Sequence, residues 1–144
     1  MKCPACDRAL TEKQIGSVSV RVCQGGCGGI WFDNFEVEQV DQDTEAVSEL
    51  LLHVQRDDAI VVDYQRPRHC PRCETVRLKR VLLSPGSQVQ IDECPGCDGC
   101  WLDERELVKL HDERVDMIES GRIQKSGKFD LISYLYEVRT GRGR

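Results

Sequence analysis

Only eight aromatic residues, three Phe, two Trp and three Tyr, occur in the 144-residue chain. A large aromatic core is out of reach, and several of the remaining apolar positions are cysteines, so the apolar core is expected to be thin. No run of about 18 apolar residues is present, so no segment reads as a membrane-spanning helix. No basic start leading into an apolar stretch marks a secretion signal. On these grounds the chain is expected in the cytoplasm and away from membranes. His53, His69 and His111 are the only histidines. None accompanies a nucleophile in a recognisable catalytic arrangement, and no phosphate-cradling glycine loop precedes a lysine, so catalysis is not expected.

Nine cysteines stand against these scarcities. In a reducing compartment such usage points to metal ligation rather than disulfides. They are ordered as well as numerous. Cys3/Cys6 and Cys70/Cys73 are both C-P-x-C pairs. The stretches 23-CQGGCGGIWFDNFEV-37 and 94-CPGCDGCWLDEREL-107 then align Cys27 with Cys97, Trp31 with Trp101, Asp33 with Asp103 and Glu36 with Glu106. The chain is a tandem duplication. In each copy strand-like alternation separates the two cysteine pairs, as in 17-SVSVRV-22, 76-VRLKRVLL-83 and 88-QVQID-92, with turns at Gly16 and 84-SPGS-87. Two short strands with cysteine pairs at their base form a zinc-ribbon plan.

Thiolates with two residues between them reach one tetrahedral ion at about 2.3 Å, and the turn between them aims backbone N–H groups at sulfur. Pro4, Pro71 and Pro95 preset φ after the first cysteine of their pairs. Four thiolates close the coordination sphere, so the predicted centres, Cys3, Cys6, Cys23 and Cys27 in one copy and Cys70, Cys73, Cys94 and Cys97 in the other, are structural. Zinc is the expected ion, with iron in a rubredoxin-like centre as the rival. Asp7, Glu74 and Asp98, in place of glycine after three of the four pairs, favour zinc. Registering the copies on their tryptophans leaves Cys100 as the odd thiol, read as a non-ligand in an apolar position, with a redox role or exchange with Cys94 as the alternative. Each ribbon of about 35 residues is below the size that folds without a staple.

The resulting expectation is a small metal-stabilised α+β fold of two tandem zinc ribbons, short antiparallel β-sheets, each followed by an α-helix. Residues 1–32 form the first ribbon and 33–58 an acidic connecting helix. Residues 59–102 form the second ribbon with a short strand, 60-IVVDY-64, before it. The second helix covers 103–126, and 127–144 form an amphipathic segment and basic tail. The W-[FL]-D segments read as helix starts with an Asp cap and a Glu three residues on, each Trp packing the helix base onto its ribbon, with Trp31 and Trp101 as a candidate partner surface the alternative. The connecting helix carries an apolar seam, Val37, Val40, Val47, Leu51 and Val54, for the second helix or for a second chain in a homodimer.

The net charge is −5. Two four-thiolate zinc sites, each −2, would take it to about −9, which opposes nucleic-acid binding. Arg72, Arg77, Lys79 and Arg80 nevertheless cluster near the second knuckle, which keeps nucleic acid as an alternative partner. The acidity belongs to residues 33–66, where ten acidic side chains face two basic ones.

The pattern C-P-x-C followed by C-P-G-C-x-G-x-W-L-D-x-x-E-L resembles the bacterial TFIIB-type zinc-ribbon family over residues 1–40 and 69–110. The resemblance implies two Zn2+ per chain, on the two sets of four cysteines named above. It also implies a non-enzymatic adaptor with a protein partner, the transcription machinery being the natural candidate. Cys100 and the extra residue between Cys23 and Cys27 depart from the pattern, and a thiol-based zinc switch at Cys100 is the further alternative.

Overall fold

The computed structural model describes residues 1–15, 18–33 and 54–121. Residues 34–53 of the predicted connecting helix, the turn at Gly16, residues 122–126 and the 127–144 tail lie outside the described residues; residues 54–58, predicted to end that helix, are not helical, and Arg56 instead bridges to Gly26. Among the described residues six strands form one antiparallel sheet: β1 (Thr11–Ile15), β2 (Val18–Val22), β3 (Ile30–Phe32), β4 (Lys79–Leu82), β5 (Gln90–Glu93) and β6 (Cys100–Leu102). Their order is β1-β2-β3-β6-β5-β4. Each copy therefore contributes three strands in mirrored order, and the two ribbons join through β3 and β6. Trp31 lies opposite Trp101, Ile30 opposite Leu102 and Phe32 opposite Cys100.

The alternation read from the sequence sets the faces. Val20 and Val22 on β2 are fully buried, whereas Arg21 between them pairs with Trp31 on the other face. In β5, Ile91 is buried with Val81 opposite, while Asp92 pairs with Trp101. One face of the sheet thus gathers Trp31, Trp101 and the cysteines, with Leu78 and Ala5. The other carries Ile30, Phe32, Cys100 and Leu102, all at 0–1% exposure. After β6 comes α1 (Glu104–Glu119), whose Leu107 and Leu110 are buried and whose Glu106 and Glu113 accept from Gln90 N–H and the Ser87 hydroxyl of the second ribbon. Glu104 and Glu106 in its first turn suit the positive end of the helix dipole, and Gly121 beyond its last turn has φ 76.

Two expectations need correction. The segment 60-IVVDY-64 is not a strand: Val61 is 91% exposed, and Ile60 and Val62 pack on the cysteine and tryptophan cluster as a loop. Asp63 takes the N–H of Gln65 through its carboxylate and that of Arg66 through its carbonyl, turning the chain before it can pair. The second correction concerns W-[FL]-D, read above as helix entry. Ile30, Trp31 and Phe32, like Cys100, Trp101 and Leu102, are strands first, and they are the strands that make the two ribbons one sheet.

Candidate metal centres

Both sets of four cysteines converge. The sulfurs of Cys3, Cys6, Cys23 and Cys27 lie within 4.8 Å of one another, as do those of Cys70, Cys73, Cys94 and Cys97. Cys3–Cys27 and Cys6–Cys23 are each 3.5 Å apart; Cys70–Cys97 is 3.7 Å and Cys73–Cys94 is 3.8 Å. A tetrahedral ion with metal–sulfur bonds of about 2.3 Å needs sulfur–sulfur edges of about 3.8 Å, so the donor sets fit zinc. None of the nine cysteines is in a disulfide.

The knuckle turns explain the convergence. The N–H groups of Ala5 and Cys6 point at Cys3 Sγ, both at 3.4 Å. Cys73 N–H points at Cys70 Sγ, and those of Gly96 and Cys97 at Cys94 Sγ. The longer first-copy loop does the same, with Cys27 N–H 3.3 Å from Cys23 Sγ. Each turn closes by donation from the residue after the pair to the carbonyl of its first cysteine: Asp7 to Cys3, Gly28 to Cys23, Glu74 to Cys70 and Asp98 to Cys94. All four closing residues are left-handed, Asp7 at φ 66, Glu74 at 60, Asp98 at 61 and Gly28 at 79. The acidic residues therefore adopt the same turn that glycine would, and their identity does not separate zinc from iron. A left-handed non-glycine residue carries a penalty of about 1–2 kcal/mol. Glu74→Gly is accordingly expected to stabilise the zinc-loaded chain by about 1 kcal/mol, raising Tm by about 3 °C. A lower Tm would mean that the turn is not strained there.

The metal-free thiols are electrostatically frustrated. Hydrogen bonding to Cys23, then to Cys27, raises the pKa of Cys3 far above the ordinary thiol value. Cys27 is raised, first through Cys23. Cys23 is lowered because the thiols of Cys27 and Cys3 donate to it. In the second set burial is the leading influence, raising Cys70 and Cys73. At Cys94 burial is outweighed by the N–H groups of Cys97 and Gly96 and by neighbouring thiols, so its pKa falls. Cys23 and Cys94 are thus favoured as thiolates while Cys3, Cys27, Cys70 and Cys73 hold their protons more tightly, an imbalance that a divalent cation removes.

Trp31 and Trp101 are buried at 0% exposure, which corrects their reading as a partner surface. They belong to the cluster that contains the cysteines. Trp31 Nε1 donates to Asp33 at 2.9 Å and Trp101 Nε1 to Asp103 at 3.2 Å. Arg21 and Arg72 also hold Asp33, the latter reaching across from the second knuckle at 2.9 Å. Arg68 holds Asp103 at 2.7 Å. The Asp103 side chain is thus committed to the tryptophan and Arg68, and its carbonyl accepts from the N–H groups of Glu106 and Leu107. Glu106 accepts from the backbone of Gln90 on β5 rather than closing a capping box. The W-x-D-x-x-E signature ties elements together. Glycine does the same: Gly29 and Gly99, each two residues before a tryptophan, lie against the tryptophan ring of the opposite copy. The recurring G-x-W spacing was the available signal for this, but its meaning depends on the partner strand.

Cys100 belongs to neither cysteine set. It is fully buried on β6, opposite Phe32, and alternates away from Trp101 and the metal face. This fits a non-ligand in an apolar position and sets aside the alternative of an exchangeable ligand.

Residues 2–42 and 69–113 match the family described as Transcription factor zinc-finger. No curated protein and no solved structure gives a match. Two four-cysteine groups within two zinc-finger matches identify two zinc ions per chain.

Proposed function

The chain belongs to the Transcription factor zinc-finger family over more than half its length, and from that premise we propose that it is a non-enzymatic adaptor for a protein partner in the transcription machinery. Cys3, Cys6, Cys23 and Cys27 hold one zinc ion and Cys70, Cys73, Cys94 and Cys97 the other. Four thiolates leave each ion no open position, so the metal fixes shape.

The observation that carries this reading is a groove of ≈ 560 Å³ between the two C-P-x-C knuckles. Equivalent residues of the copies line it in pairs: Lys2 with His69, Pro4 with Pro71, Asp7 with Glu74. It exists only because the ribbons are locked together, and its mixture of proline and opposite charges suits a protein surface. Nucleic acid is a weaker reading, because Arg72 is engaged by Asp33 and Arg80 by Asp92, leaving Arg77 and Lys79 of the basic cluster.

The test is affinity purification of the tagged chain from its native cells, with nuclease and a salt series. RNA polymerase subunits are expected to survive nuclease. They should be lost when Pro4 and Pro71 are both replaced by Glu in a chain that still binds two zinc ions. Recovery of nucleic acid alone, disappearing with salt, would overturn the adaptor.

A further inference from the structure

The loop from Cys23 to Cys27 is one residue longer than its counterpart from Cys94 to Cys97, and the extra backbone is used. Gly25 N–H donates to the Gln55 carbonyl and Asp57 N–H to the Gly26 carbonyl, both at 2.8 Å, so residues 55–57 lie along the loop, with Arg56 opposite Gly26 in a parallel bridge. Arg56 reaches on to Glu104 at the start of α1, at 3.0 Å, and a methyl added to Gly28 would lie 3.3 Å from its Cβ. Gly26 is itself pressed onto the ligand: a methyl there would collide with Cys23 Sγ. The chain that leaves the first copy therefore returns across that copy's own metal loop and is tied there before it enters the second.

The two copies are covered unequally. Gly26, Cys27 and Gly28 are buried, whereas Cys97 is partly exposed and Gly96 and Asp98 are exposed. The shorter loop 94-CPGC-97 has no counterpart of the Gly25 donor, because Pro95 carries no N–H. Both sets offer the same four thiol ligands, so coordination chemistry alone gives the two sites no reason to differ. A closed sphere of four thiolates has no free position, and an incoming group reaches a sulfur only when the knuckle opens locally. Opening the first knuckle also breaks the two bonds to residues 55–57, each worth about fivefold in such an equilibrium.

We propose that residues 55–57 are a strap that locks the first metal knuckle, so that the first copy retains its ion while the uncovered second knuckle is where metal is exchanged. The extra residue between Cys23 and Cys27 then has a role: it supplies the backbone that the strap grips. The proposal rests on occupancy of both sites by zinc and not on the adaptor reading.

The test mixes the zinc-loaded full chain with 113Cd ions, which replace zinc without unfolding the ribbons, and follows the two cadmium NMR signals in time, each assigned through its cysteine protons. In the parent the signal of Cys70, Cys73, Cys94 and Cys97 should grow about tenfold faster than that of Cys3, Cys6, Cys23 and Cys27. Asp57→Pro, which removes the N–H that the Gly26 carbonyl accepts, should speed the first set about fivefold and leave the rate of the second set unchanged. Arg56→Ala, which removes only the exposed contacts with Glu104 and Gly28, should speed the first set about twofold, again without moving the second. Equal rates for the two signals in the parent would overturn the proposal even if Asp57→Pro fails to fold. So would variants that leave the first set's rate unchanged or raise both rates together, the latter being the mark of a general loss of stability.

Discussion

Stripping the metal with a strong chelator is expected to collapse the amide spectrum of both ribbons in one transition. Cys3, Cys23, Cys27, Cys70 and Cys94 are at most 3% exposed and pack around Trp31 and Trp101. In the metal-free state these buried thiols crowd one another with mismatched protonation. Structural zinc supplies about 10–16 kcal/mol per site, against a total domain stability of about 5–15 kcal/mol. Neither ribbon therefore holds its fold alone. The losses are coupled because β3 and β6 are paired along their length. Cys3→Ser, which disables the first site, should also lower hydrogen-exchange protection in β5 of the second copy. Protection there equal to the parent's would show that the ribbons fold independently.

Gly29→Ala is expected to destabilise the chain by about 3 kcal/mol, at the top of the usual range for overpacking. A methyl at this position would overlap the Trp101 ring, with Cη2 at 2.8 Å and Cε2 at 2.9 Å. The ring cannot retreat: Asp103 anchors its N–H and the sheet fixes its backbone opposite Trp31. Gly99→Ala meets the Trp31 ring in the same way, with Cη2 at 2.9 Å. The overlap is removed when the ring is removed. Trp101→Ala alone should cost about 3–5 kcal/mol, and adding Gly29→Ala to it should cost almost nothing more. Urea unfolding of the four zinc-loaded proteins measures this coupling, expected at about 3 kcal/mol. Additive losses would show that Gly29 and Trp101 do not meet.

The duplication, the two cysteine sets and the hairpin strands were legible because they rest on local spacing. C-P-x-C turns fix sulfur positions within a few residues, and alternation such as Val20-Arg21-Val22 assigns strand faces. The joint between copies was not legible. Trp31 and Trp101 read as packing a helix base onto its own ribbon, with a partner surface as the alternative, whereas the antiparallel pairing of β3 with β6 places them in the core between the copies. Asp103 and Glu106 have the spacing of a capping box, but buried Arg68 and the open N–H of Gln90 compete for their carboxylates and win. Arg68 itself carried no sequence signal, since its partners Asp92 and Asp103 lie 24 and 35 residues away. The residues after the knuckles were misjudged for a simpler reason: Asp and Glu in place of glycine read as favouring zinc over iron, whereas the backbone holds them in the conformation glycine would adopt.

Native mass spectrometry of the chain, purified without added metal and then treated with a thiol-alkylating reagent, tests the central claim most directly. Two zinc ions per chain should be found. The eight cysteines of the two sets should resist alkylation until chelator is added, after which all become reactive as the fold opens. A chain that carries fewer than two metal ions, or iron in their place, while its amide spectrum stays folded would contradict the account.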